Sequence, residues 1–188
     1  EITCRDWSSD VCSSDLLKAT DYKENDKLLT LFTPSKGKVT AGIRGVRKRG
    51  AKLSFAAQPF CFAEYVLAEK GGRYTVTAAY LYDGFYSLRT DIARYYAACS
   101  VLEICNALLV EEGESEAVFI AAVEALKGLA LTEGDAAELL LSFSLTALHQ
   151  SGYMIDLDGC GICGGEVKGN AYFDFEAGYF TCSDCASG

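Results

Sequence analysis

Two cysteine pairs toward the end of the chain, Cys160-x-x-Cys163 and Cys182-x-x-Cys185, have the types and spacing best suited to chemistry, with eighteen residues between them. Four thiolates so spaced form a closed tetrahedral set that holds zinc at about 2.3 Å, and Gly159, Gly161, Gly164 and Gly165 let the backbone wrap the ion. All four ligands are sulfur and no position is left open for water, so the expected role is structural. The competing readings are two redox pairs, or a remnant that no longer binds metal. Between the pairs, residues 171–175 and 178–180 read as a small hairpin carrying aromatic cover for the site.

A second group is cationic: Lys36, Lys38, Arg44, Arg47, Lys48, Arg49 and Lys52 fall within seventeen residues. Flexible cations on strand ends and a loop can reach successive phosphates. Neutralising about six phosphates releases condensed counterions and makes binding steeply salt-dependent. The plainer alternative is a solvated charged loop. Tyr22, Phe32, Phe55, Phe62 and Tyr65 share the region and include candidates for stacking on bases, although most aromatics in such a setting are core.

The formal net charge of −9 hides this group. Residues 17–63 hold ten Lys or Arg against three acids, whereas residues 83–158 hold three against thirteen. Such an asymmetry points to a cationic working surface at one end and a different partner at the other. Catalysis is poorly supplied. His149 is the only histidine, placed near a helix end, and no Gly-x-Ser-x-Gly elbow, phosphate loop or His-x-Glu deaminase set accompanies it. The chain is therefore expected not to be an enzyme.

The elements that must position these groups are legible from period. Residues 28–33 and 38–45 read as strands about a turn at 34–37, and residues 60–69 and 73–82 as two more strands joined at Gly71-Gly72, a pair that supplies the positive φ of a tight hairpin. After Tyr82 the period lengthens. Leu88, Ile92, Tyr95, Cys99, Leu102, Asn106 and Leu109 mark one face of a long helix, and Phe119, Val123, Leu126 and Ala130 mark a second. Residues 136–148 are apolar on nearly all sides, which predicts a helix buried within a bundle. Glycines 113, 134 and 152 stand where helices would stop. The fold class is thus α+β: a small antiparallel β-barrel over residues 17–82, a helical domain over 83–158, and a four-cysteine knuckle opening the part at 159–188.

Residues 1–16, EITCRDWSSDVCSSDL, stand outside this scheme. They lack the apolar run of a signal peptide and the basic face of a transit peptide, and DWSSDVCSSDL resembles the in-frame translation of a common sequencing-library adapter. The segment is read as an artefact that packs no further than a strand near Leu16, with the native protein extending beyond both ends of this chain. Of the nine cysteines, Cys4 and Cys12 fall in the segment, while Cys61, Cys99 and Cys105 read as small core residues. No disulfide framework is suggested, which fits a reducing cytoplasm. No apolar stretch reaches the roughly 20 residues that span a bilayer.

The order of these features resembles the RecO family of bacterial DNA repair and recombination mediators over roughly residues 17–185, from the cationic stretch DYKENDKLLTLFTPSKGKVTAGIRGVRKRG to the paired cysteines. The resemblance implies that the barrel is an OB-fold and that the site is the family's zinc knuckle. It further implies binding to single- and double-stranded DNA, annealing of complementary strands, and work with RecR to load RecA on strands coated by single-stranded DNA-binding protein, in the nucleoid-associated cytoplasm of a bacterium. The alternative function is an unrelated OB-fold and zinc-knuckle module, for instance one acting on RNA.

Overall fold

The computed structural model describes residues 10–109, 115–131, 134–153 and 156–186. The chain divides into two compact units, Glu1–Ala147 and Leu148–Gly188.

The first unit opens with five strands: β1 (Asp10–Tyr22), β2 (Asp26–Thr33), β3 (Gly37–Ile43), β4 (Phe62–Lys70) and β5 (Arg73–Asp83). Their order, β1-β2-β3-β5-β4, returns to β1 and closes the sheet. Every pair but one is antiparallel, and the exception corrects the all-antiparallel expectation: β3 runs parallel to β5 at Ala41↔Tyr74 and Gly42↔Thr75. The cause is the long excursion between β3 and β4, which carries a 3-10 turn at Ser54–Ala57 and delivers the β4–β5 hairpin so that β5 travels in the same direction as β3. Gly71 and Gly72 make that hairpin turn with φ of +60° and +71°, as their sequence predicts.

Alternation fills the sheet's interior. Leu29, Leu31, Val39, Ala41, Ile43, Ala63, Tyr65, Leu67 and Val76 form one buried cluster, within which the Tyr65 hydroxyl donates to the Ala56 carbonyl at 2.8 Å. Phe32, on the opposite face of β2, is also buried, because Phe119 of a helix meets it edge-on at 5.1 Å. The apolar run of β2 is thus explained by cover on both sides at its end.

Strand β1 starts earlier than expected, since Asp10–Asp15 pair along Leu67–Phe62 of β4. A ladder is made of main-chain groups and is nearly indifferent to side chains, so an extended chain of any origin can fill the edge that β4 offers. Trp7 lies outside the described residues.

Three helices follow: α1 (Ile92–Leu108), α2 (Glu116–Leu131) and α3 (Ala136–Gln150). Asp91 caps α1 by accepting the Arg94 N–H at 3.0 Å, which sets the helix start after Leu88 and corrects the predicted stripe. Its buried face is Ala97, Ala98, Val101, Leu102 and Cys105, while Ile92 and Asn106 are exposed. Small alanines, easily passed over in a search for large apolar residues, are part of that buried face. Arg94 lies across the end of α2 and donates to the Leu129 carbonyl at 2.7 Å. Helices α1 and α2 share one buried cluster with Phe32, Phe60 and Phe62, so the boundary at residue 82 marks a change of secondary structure within one core. Helix α3 departs from expectation: only Phe143 and Ala147 are buried, and Leu141 is exposed. Among the described residues no helix is long and apolar enough to cross a membrane.

In the second unit, Gly152 and Tyr153 close the end of α3 by donating to the His149 and Leu148 carbonyls, a Schellman arrangement. A three-stranded sheet follows, β6 (Asp156–Cys160), β7 (Ala171–Asp174) and β8 (Tyr179–Cys182) in the order β6-β8-β7, with a short α4 (Ser183–Ala186) after it. The β7–β8 pair is the expected hairpin. Gly113, one of the predicted helix stops, lies outside the described residues.

Candidate metal centre and nucleic-acid interface

The four cysteines converge. The sulfurs of Cys160, Cys163, Cys182 and Cys185 all lie within 4.8 Å of one another, and Cys163 and Cys182 are 3.9 Å apart. Ligands at about 2.3 Å from a tetrahedral ion stand about 3.8 Å from each other, so the set fits a metal of zinc's size and preference. The backbone builds the cradle: Gly164 donates to the Cys160 carbonyl at 2.8 Å, Cys160 to Gly165 at 2.9 Å, and Gly161 to Phe180 of β8 at 2.8 Å. Tyr179 lies so close over Gly161 that a Cβ there would collide with its ring, which explains why the knuckle needs glycine at that point.

The protons in this cluster are unevenly held. Cys160 is brought down to about 6, first by the Cys163 N–H and then by the Cys182 N–H, both of which stabilise a thiolate. Cys185 is pushed up to about 12 by its hydrogen bonds to the Cys182 and Cys163 sulfurs, by burial and by the neighbouring Cys160 charge. A Cys160 thiolate opposes ionisation of Cys185, and a dication would remove that conflict. These four residues could hold a metal ion.

The cations assemble differently from their order in sequence. An open groove of about 520 Å³ crosses β2 and β3 between the β1–β2 turn and the β4–β5 turn. Its lining includes Tyr22, Lys23, Lys27, Arg44, Arg73 and Tyr74. It continues past Arg44 and Lys23 to Lys48, and past Thr40 and Tyr74 to Lys36 and Lys38. Of the seven predicted cations, Lys36, Lys38, Arg44 and Lys48 stand on this path. Lys36 holds its ammonium 5.5 Å from the Tyr74 ring centre. Lys38 donates to the Asn106 carbonyl and side chain of α1 at 3.0 and 3.4 Å. Arg47 pairs with Asp21 at 3.3 Å, while Arg49 and Lys52 are exposed beyond the groove. The segment bearing them is tied to the β1–β2 turn, since Gly45 donates to Asp26 Oδ1 at 2.7 Å and Arg47 N–H to the Asn25 carbonyl at 3.1 Å.

Sequence reading missed Lys23, Lys27, Arg73 and Tyr74. Lys23 and Lys27 sit beside the recognised cluster, but Arg73 and Tyr74 reach it only through the parallel β3–β5 pair, which no local pattern signals. Of the five candidate stacking aromatics, Phe32, Phe62 and Tyr65 are buried, Phe55 is half-buried and Tyr22 is exposed in the groove.

Comparison with known proteins matches residues 14–85 to the family described as Recombination protein O N terminal, and residues 89–188 to that described as Recombination protein O C terminal. The chain belongs to the RecO family. It is similar to the DNA repair protein RecO of Clostridium novyi, with 32% identity over 170 residues, 90% of this chain and 66% of the relative. The counterpart from Desulforamulus reducens is 31% identical over 173 residues, 92% of this chain and 67% of the relative. That from Myxococcus xanthus is 31% identical over 175 residues, 90% and 70% of the two chains. The chain thus spans about two thirds of the length of these curated relatives. The RecO N-terminal match covers most of the sheet and all of the groove, and the C-terminal match covers the helices and the four cysteines.

Proposed function

We propose that this RecO-family chain is a non-enzymatic DNA-binding mediator of recombination and repair. In this reading the closed five-stranded sheet is an OB-fold, and its groove holds the backbone of single- or double-stranded DNA without reading sequence. The observation that carries the proposal is the groove itself: the β2–β3 face between the β1–β2 and β4–β5 turns is where OB-folds bind oligonucleotides, and here it is lined by Lys23, Lys27, Arg44 and Arg73. Tyr22 and Tyr74 offer rings on which bases of a single strand can stack.

Annealing needs no bond chemistry. Cations lower the repulsion between two phosphate backbones, and complementary bases do the rest. On this account the protein anneals complementary strands and, with RecR, assists loading of RecA onto strands coated by single-stranded DNA-binding protein, in the cytoplasm of a bacterial cell. The four cysteines hold one structural zinc, which stabilises the second unit and takes no part in a reaction.

Fluorescence titration of two oligonucleotides of unrelated sequence, over a range of salt, tests this. Equal affinities at each salt concentration and a linear fall of log affinity with log salt are expected. A tenfold preference for one sequence, or binding indifferent to salt, would overturn it.

A further inference from the structure

Asp21 precedes Tyr22 and pairs with Lys27, both of which line the groove, and its two carboxylate oxygens meet two cations from different elements. Oδ1 is 3.7 Å from Lys27 Nζ of β2, and Oδ2 is 3.3 Å from Arg47 Nη1, which follows β3. The Lys27 contact comes with the sheet register, since Asp21 and Lys27 are directly opposed. The Arg47 contact does not, because Arg47 arrives from a separate loop. One exposed anion that gives one oxygen to each of two cations has the arrangement of a backbone phosphate with two unbridged oxygens.

We propose that Asp21 acts as an internal stand-in for phosphate, holding Lys27 and Arg47 until a strand displaces it, and so weakens the grip of the groove. The inference rests on the DNA-binding reading above. Stability gives little reason for the carboxylate, since its side chain is 58% exposed and exposed ion pairs contribute little to folding. At the groove it opposes an incoming phosphate, and it shortens the stay of a strand that has bound. A protein that anneals strands benefits from this, because it must let go of each strand as the duplex forms.

The test compares Asp21→Asn with Glu124→Gln, an equal change of charge on an exposed position of α2 that lines none of the groove. Binding to a single-stranded oligothymidylate is titrated over a range of salt. The Asp21→Asn protein should bind on the order of threefold to tenfold more tightly at low salt, while Glu124→Gln stays near the wild type. Its salt slope should steepen by about 0.7 for each cation freed, up to about 1.4. Adding Lys27→Ala and Arg47→Ala to Asp21→Asn should abolish the gain. An Asp21→Asn protein that binds like Glu124→Gln, or more weakly than wild type, would show that Asp21 only positions Arg47 and would overturn the proposal while leaving the groove reading intact. Salt-indifferent binding by the wild type would remove both.

Discussion

Cys160 and Cys185 are shifted in opposite directions within one cluster, the first lowered by backbone N–H groups that stabilise its thiolate and the second raised by hydrogen bonds to neighbouring sulfurs. On the proposed reading, zinc binding must displace the proton that Cys185 holds. Its affinity should therefore rise steadily from about pH 6 to about pH 8, measured against a competing chelator, and a flat profile would contradict the site. The Cys182→Ser protein should lose the metal and the folding of the second unit, a contribution on the order of 10 kcal/mol in isolated zinc modules. These four residues were legible from spacing alone, since two short repeats bring each pair together and only one hairpin is needed to join them. Lys38 was not. Its partner Asn106 is 68 residues away, and nothing in the strand pattern foretold that its ammonium would bind the end of a helix. Lys38→Ala is expected to cost roughly 0.5–1.5 kcal/mol in denaturant unfolding.

Helices and strands were read from sequence to within a few residues where the pattern was long, and misread where packing decided the outcome. The run at residues 136–148 is apolar on nearly every side, yet α3 buries only Phe143 and Ala147, because composition reports what a helix could bury and neighbours decide what it does. On α1 the reverse occurred: the small residues Ala97 and Ala98 are buried while Ile92 is exposed. The joint between sheet and helices rests on Phe119, whose ring meets Phe32 at 5.1 Å and Phe62 at 6.1 Å. Replacing Phe119 by alanine should cost about 3–5 kcal/mol. Strand and helix signals should shift together in the unfolding curve, since both sides share that core. A helix signal that melts alone, with the strands unmoved, would show that the two parts do not depend on each other.

At the scale of the whole chain, opposite charges in successive segments hid a cationic surface under a net charge of −9. The cluster between Lys36 and Lys52 was visible in the sequence, but its working form was not. The parallel pairing of β3 with β5 sets Tyr74 opposite Ala41, so that Arg73 and Tyr74 line the same groove as Arg44, and such non-local contacts leave no periodic trace. Two of the visible cations are also engaged within the fold, Arg47 by Asp21 and Lys38 by Asn106. On the proposed reading, affinity therefore resides in the groove and not in the density of charge along the chain. The most direct test is the salt dependence of oligonucleotide binding by a protein with Arg44, Lys48 and Arg73 all changed to alanine, on two unrelated single-stranded sequences. The account predicts a loss equal for both sequences and a slope of log affinity against log salt shallower by up to about two, near 0.7 for each lost phosphate contact. A slope identical to that of the wild type would mean that the groove does not hold the phosphate backbone.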